Sequence, residues 1–290
     1  MPVTHERPIG AHAPTSGGLA RAALPYIDAT GAEVVQVYVS NSRGWALPPG
    51  NPDQDAAFRD GCAERGVAVY IHASLLVNLG SPTPATVDKS IATLAHALRR
   101  GAAIGARGVV FHAGSAVTAS YTDQAMRQLR ERLLPLLDAA DAEDGPRLLV
   151  EPSAGGGQSL AARVEDLERY FAAVDWHPRL GVCFDTCHAW AAGHDLAADG
   201  GMTRTVDALV ATVGADRLGL IHANDSKDLC GSTRDRHETI GKGHIGESAF
   251  AELVRHPATA GVPIVVETPT DGPAGHAADI STLKRLRSAA

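Results

Sequence analysis

The chain has 290 residues, with 26 Lys and Arg against 33 Asp and Glu, a net charge of −7 and four cysteines. A chain of this length buries a large core without disulfides, and Cys62, Cys183, Cys187 and Cys230 form neither a CxxC pair nor a secreted-type framework, as expected of reduced thiols in a cytosol. No stretch approaches the roughly 18 apolar residues of a membrane span, and MPVTHERPIGAH lacks a signal-peptide core, so a soluble cytoplasmic protein with no membrane partner is expected.

Strand-like and helix-like segments alternate from end to end. RPIGAH (7–12) precedes a helical stretch over 17–29, EVVQVYVS (33–40) one over 52–65, and VAVYIH (67–72) one over 84–103, opened by Pro82, Thr83 and Pro84. GVVFH (108–112) is followed by a helix over 122–141, RLLVE (147–151) by one over 160–174, and RLGVCFD (179–185) by one over 199–213. RLGLIH (217–222) leads into a loop over 223–247 and a short helix over 248–255; VPIVVE (262–267) and a helix over 277–287 close the pattern.

The strands are continuously apolar rather than alternating, which marks a parallel sheet covered by helices. Eight such units predict one (β/α)8 TIM barrel spanning 1–290; an open doubly wound sheet is the alternative. GAHAPTSGG, after the first strand, lacks GxGxxG, so no nucleotide cofactor is expected.

Six consecutive strands end in His72, His112, Glu151, Asp185, His222 and Glu267. In a barrel these residues converge on the C-terminal face, where active sites sit. Taken singly, each is an ordinary capping or hydrogen-bonding residue: Asp185 and His188 in FDTCH read as a helix N-cap and an exposed histidine, Asp235 and His237 in RDRH as a solvated charge run. Taken together, five histidines and four carboxylates without thiolates suit catalytic zinc, with manganese or iron as substitutes. Several divalent ions on one face would also outweigh the negative net charge there.

The 223–247 loop adds Lys227, Arg234, Arg236 and Lys242 to Asp235 and His237, joining chemistry to anion recognition. His12 reads as core or as support for the ligands, and His5, His96, His177, His256 and His276 as surface or terminal. His194 and His244 lie near motifs without reason to be ligands, and Cys187 reads as a packed residue, not a nucleophile.

The segments GAH (10–12), HASLLVNLGSP (72–82), FHAGS (111–115), EPSAGGGQS (151–159), CFDTCHAWAAGHDL (183–196), HANDSKDLCGSTRDRHETIGKGHIG (222–246) and VVET (265–268) together resemble the endonuclease IV family of apurinic/apyrimidinic (AP) endonucleases. The resemblance runs over essentially the whole chain. It implies a (β/α)8 barrel with three zinc ions: His72, His112 and Glu151 on the first; Glu151 bridging to a second held by Asp185, His222 and Glu267; and His188, Asp235 and His237 on the third.

It also implies hydrolysis of the phosphodiester 5′ to an abasic nucleotide in duplex DNA, with Glu267 and Glu151 as catalytic residues and a likeness to a monomeric base-excision repair enzyme associated with the nucleoid. Arg43, Leu75 and Leu76 match the loops that enter the duplex; Lys227, Arg234, Arg236 and Lys242 read either as phosphate contacts or as solvated surface charges. The chain departs from the family at Leu75, where an aromatic is common, at Pro152 and Ser153, where Glu-Asn-Thr is usual, and at Ala73.

Three other readings stand beside this one. They are a sugar isomerase or epimerase on one or two metals, a paralogue acting on another phosphoester, and a damaged-DNA sensor that does not cut.

Overall fold

The computed structural model describes residues 7–289. Eight parallel strands close into a barrel: β1 (Ile9–His12), β2 (Val34–Val37), β3 (Ala68–His72), β4 (Ala106–His112), β5 (Arg147–Glu151), β6 (Leu180–Asp185), β7 (Leu218–His222) and, after a short hairpin of β8 (Asp225–Ser226) and β9 (His237–Glu238), β10 (Ile264–Val266). Closure comes from β10 pairing with both β7 and β1, with Ile9 opposite Ile264. The closed TIM barrel expected from the alternation is therefore present, and the open sheet is excluded.

Inside the barrel a layered plug is built from Val34, Ala68, Tyr70, Val110, Leu149, Cys183, Leu220 and Val265. Gly181 and Gly219 make room for it, since a Cβ at either position would stand 2.8 or 2.7 Å from a Leu149 methyl. A larger apolar layer lies between the strands and the helices α1 (Leu19–Thr30), α2 (Pro52–Arg65), α3 (Pro84–Ile104), α4 (Thr122–Ala142), α5 (Leu167–Ala173), α7 (Gly201–Val213), α8 (Glu247–Arg255) and α9 (Pro273–Ser288). No helix among the described residues is long and apolar enough to cross a membrane.

Three elements differ from the sequence expectation. The helix expected over 160–174 is shortened to α5 after a 3-10 turn at Val164–Asp166. The preceding residues bond across the barrel mouth instead, Leu160 N–H to the Gly114 carbonyl at 2.9 Å and Ser153 N–H to that of Ala161 at 3.0 Å. A short helix absent from the expectation, α6 (Thr186–Ala191), starts directly after β6, because the Asp185 carboxylate caps it by accepting the His188 N–H at 2.8 Å.

The 223–247 loop is also ordered internally. The buried Asp225 carboxylate accepts N–H groups of Gly241, Gly243, Ile245 and Gly246 at 2.9 to 3.3 Å, and β8 pairs with β9. Such a hub satisfies backbone donors that a compact domain could not leave buried and unpaired.

The bland histidines also need correction. His96, His256 and His276 are buried rather than on the surface. Each anchors a loop or helix: His96 to the Pro48 carbonyl at 2.7 Å, His256 to Asp207 at 3.0 Å, His276 to the Thr268 carbonyl at 2.8 Å. His177 is half-buried, and His5 lies outside the described residues.

Candidate metal centre

β3 to β7 each deliver their last residue to one end of the barrel, and Glu267 follows the last residue of β10. Parallel register sets His112 beside Glu151 and Asp185 beside His222. Capping of α6 turns His188 back over the same end, and the hairpin carries His237, and Asp235 two residues earlier, across the mouth. All nine residues singled out in the sequence are thereby brought together.

Glu151, 1% exposed, is the centre. Its Oε2 lies 3.2 Å from His72 Nε2 and 3.5 Å from His112 Nε2, and its Oε1 lies 3.1 Å from His222 Nδ1 and 3.3 Å from His188 Nδ1. Glu267 Oε2 is 3.3 Å from the same His222 nitrogen. Asp235 spans the outer pair, 3.2 Å from His188 Nε2 and 2.9 Å from His237 Nε2.

Among the described residues, four triads have ligand-type atoms within 4.8 Å of one another: His72, His112 and Glu151; Glu151, Asp185 and His222; Asp185, His188 and His237; and Cys187, Asp235 and His237. Asp185 thus stands between two of them. The bland expectation for FDTCH is half met: Asp185 does cap a helix, yet His188 is buried, not exposed. Cys187 is a buried thiol held in its protonated form by burial, which agrees with packing and not with nucleophilic chemistry.

The chemistry of this donor set fits divalent cations. Backbone carbonyls only accept hydrogen bonds, so His72 Nδ1 donates to the Ala73 carbonyl at 2.7 Å, His188 Nδ1 to that of Pro152 at 3.0 Å and His237 Nδ1 to that of Glu267 at 3.2 Å. The opposite nitrogens then face the carboxylates. His237 Nε2 in particular is buried without an aligned hydrogen-bond partner. The cavity at the barrel mouth, about 290 Å³, is lined by most of the nine together with His12, Tyr38, Leu75 and His276, with no Lys or Arg among the described lining residues. Four clustered carboxylates therefore have only imidazoles for compensation until a cation binds.

The titration behaviour follows. Burial alone would lower the histidines, but neighbouring groups outweigh it: the carboxylates raise His72 and His188, and Cys183 together with Glu267 and Glu151 raises His222. Against its burial, His237 is held up at about 9 by Asp235 and Asp185. For His112 burial outweighs the pull of Glu151, and the group falls to about 4. Despite burial, Glu151 is held well below its ordinary range by His222 and His188, while burial pushes Asp185 up.

A histidine raised on folding stabilises the metal-free protein fully below about 6.5, and that contribution is lost as pH rises through the folded value, about 9 for His237. A divalent ion must displace those protons. The rise in melting temperature on adding such an ion is therefore expected to grow between about pH 6.5 and 9, as measured by thermal denaturation with and without the ion. A flat or shrinking increment would contradict it.

Of the loop residues expected to touch DNA, Leu75 lines the same mouth. Ser74 Oγ donates to the Ser42 and Gly44 carbonyls at 3.0 and 3.2 Å, and Leu75 N–H to that of Ser42 at 2.8 Å, which locks the Arg43 loop against Leu75 and Leu76. Arg43 is exposed, Leu75 lines the cavity, and Leu76 keeps 37% of its surface open. Lys227 and Lys242 are exposed as well, whereas Arg236 is bound to the Asp228 carboxylate and Arg234 lies 3.6 Å from it.

Sequence reasoning missed the residues that hold the ligands. Asn224, 0% exposed, donates to Asp185 Oδ2 at 2.8 Å and accepts Glu267 N–H at 2.8 Å. Gln36 lies between His222 and Glu267, and Tyr38 packs its ring 4.3 Å from that of His12. His12 supports the site as expected, with Nδ1 3.2 Å from Glu267 Oε1. One signal was available: Gln36 is a lone polar residue inside an apolar strand. At the departure after Glu151, the Pro152 carbonyl receives His188 Nδ1 at 3.0 Å.

Residues 24–287 match the family described as xylose isomerase-like TIM barrels. The chain is 56% identical to "Probable endonuclease 4" of Streptomyces coelicolor, over 97% of this chain and 95% of that protein. The crystal structure of endonuclease IV from Thermus thermophilus superposes with a TM-score of 0.85 at 34% identity, covering 98% of this chain and 100% of the other. A D-tagatose 3-epimerase-like protein shares the fold at a TM-score of 0.72 and 15% identity, over 97% and 98% of the two chains. Identity at the level of the Streptomyces protein, spread over nearly the whole of both chains, places this protein in the endonuclease IV family.

Proposed function

We propose that this protein is a zinc-dependent AP endonuclease, which hydrolyses the phosphodiester 5′ to abasic sites in duplex DNA and leaves a 3′-hydroxyl and a 5′-deoxyribose phosphate during base-excision repair. The observation that carries the reading is the convergence of all nine ligand-type residues, including His188, Asp235 and His237, at one barrel mouth. A sugar isomerase working on one or two metals has no need of that outer trio. Likeness to the epimerase-like protein at 15% identity speaks only for the shared barrel.

His72, His112 and Glu151 would hold one zinc, Glu151 with Asp185, His222 and Glu267 a second, and His188, Asp235 and His237 a third; manganese or iron would suit the same donors. When bound, these ions supply Lewis-acid neutralisation of phosphoryl charge and a water of lowered pKa. The chain's own part is to fix the donors and shape the cavity. Glu267 lines the cavity wall and would orient the attacking water by accepting its hydrogen bond. An abasic nucleotide has already lost stacking and pairing, so moving it out of the duplex costs less than moving an intact one. Leu75 and Leu76 would fill the gap, with Arg43 beside them. Leu75 offers an apolar wedge without the stacking face of an aromatic. Lys227, Lys242, Arg234 and Arg236 would meet phosphates, the two arginines in competition with Asp228.

The test is a nicking assay on a duplex carrying one tetrahydrofuran abasic analogue, run after chelation and again after zinc add-back. Cleavage 5′ to the analogue, lost on chelation and restored by zinc, is the expected result. Its absence from zinc-loaded protein would sink the assignment.

A further inference from the structure

Two of the ligand-type imidazoles turn Nδ1 outward to a backbone carbonyl and present Nε2 to the cluster, His72 to Ala73 and His237 to Glu267; His188 Nδ1 meets the Pro152 carbonyl but also lies 3.3 Å from Glu151 Oε1, with Nε2 toward Asp235. His222 does the opposite of His72 and His237. Its Nδ1 faces Glu151, Glu267 and Asp185 at 3.1, 3.3 and 3.8 Å, and its Nε2 faces outward. What it meets there is no carbonyl of the main chain but the side chain of Gln36, whose Oε1 lies 2.9 Å from Nε2.

The orientation of the Gln36 amide is set by its other end. Gln36 Nε2 lies 2.7 Å from Glu267 Oε1, and an ionised carboxylate only accepts, so the amide nitrogen must point at Glu267 and the amide oxygen at His222. An amide oxygen only accepts, so His222 Nε2 carries a proton, and Nδ1 is the nitrogen left to bind a cation once that cation displaces any proton there. Gln36 is 0% exposed and sits in β2, with Val35 and Val37 buried on either side in sequence. Bulk solvent does not reach it to offer a substitute partner. An unsatisfied buried amide is costly, so both ends of this one are engaged.

Resting on the zinc-binding reading above, we infer that Gln36 is a positioning residue of the metal centre: one amide fixes His222 as the Nδ1 ligand and holds Glu267 at the cavity wall. Gln36 touches neither substrate nor reacting atoms; it acts through the two residues it joins. Partners of this kind that orient metal-bound imidazoles typically change metal affinity or activity by about 10–100-fold when removed.

The experiment uses zinc alone as the probe. In zinc-loaded wild-type protein labelled with ¹⁵N-histidine, long-range ¹H–¹⁵N spectra should show one ring bound through Nδ1 with its proton on Nε2, against Nε2-bound rings for His72, His188 and His237. In Gln36→Met, which keeps the volume and loses the amide's hydrogen bonds to His222, Glu267 and His12, zinc affinity by chelator competition should fall about 10–100-fold, and the Nδ1-bound signature should broaden or shift. A purely structural role predicts a lower melting temperature of the chelated protein with zinc affinity unchanged, and that result would overturn the inference. So would a wild-type spectrum without an Nδ1-bound ring, which needs no variant to fold. Wild-type protein that binds no zinc at all would instead overturn the proposed function, so the two failures are distinguishable.

Discussion

Glu267→Gln is expected to cut nicking of the tetrahydrofuran duplex by at least about 10²–10³-fold, the scale seen when one charge-stabilising group is removed from a preorganised site. The substitution is nearly isosteric. A glutamine can still accept from Gln36 Nε2, now 2.7 Å from Glu267 Oε1, and the Glu267 backbone N–H keeps its bond to Asn224 Oδ1 at 2.8 Å. What disappears is the negative charge. Burial by itself would raise the Glu267 carboxyl, but His222, His12 and His72 hold it below its ordinary range, so the wild-type group is an anion near neutral pH. The stability cost should stay within about 1–2 kcal/mol, since a hydrogen-bonding shape remains. Kinetics on zinc-loaded protein and thermal denaturation check the two halves separately. Undiminished activity would remove Glu267 from the mechanism, and a large fall in melting temperature would attribute the lost activity to folding.

Glu151→Gln is expected to act on the metal centre as a whole. Its two oxygens lie within 3.5 Å of four imidazoles, three of them raised toward the protonated form by neighbouring groups. Deleting one partner of a buried charge pair leaves the others uncompensated, at a cost of about 3–5 kcal/mol. For a chain of this size each kcal/mol moves the melting temperature by about 2–4 °C, so the chelated variant should melt roughly 10 °C lower. Metal content after gel filtration should fall below that of wild type, because Glu151 belongs to two of the candidate triads. Equal metal content and an unchanged melting temperature would show that Glu151 is not the centre of the site.

These two carboxylates, and four more of the ligand-type residues, were legible because a parallel barrel converts strand ends into neighbours. Once the eight apolar runs are recognised, His72, His112, Glu151, Asp185, His222 and Glu267 must share one face. His188 and the Asp235–His237 pair were legible mainly through the family resemblance, since nothing in their local spacing brings them over that face. The structure supplies the cause in each case: the Asp185 cap that starts α6 and the Asp225 hub that folds the hairpin back. Asp185 illustrates why the bland and functional readings were not exclusive. One oxygen caps a helix while the other lies among the ligands.

The residues that hold the ligands were harder to see. Gln36 and Asn224 act across 186 and 39 positions of sequence separation, on His222 and Asp185 respectively. No periodicity encodes such a contact. The same holds for His96, His256 and His276, whose polarity suggested a surface but whose burial is offset by hydrogen bonds: His96 to the Pro48 carbonyl, His256 to Asp207 and the Ala258 N–H, and His276 to the Thr268 carbonyl and the Tyr26 hydroxyl.

Strand periodicity and residue type are local properties, and they were enough for the barrel and for the composition of the donor set. The presentation of those donors was not readable in the same way: which imidazole nitrogen faces inward, which loop crosses the mouth, and which arginines are already held by Asp228. Hydrogen-bond direction and close approach depend on where separate elements meet, and that is set by packing of the whole barrel and not by any one segment of the chain.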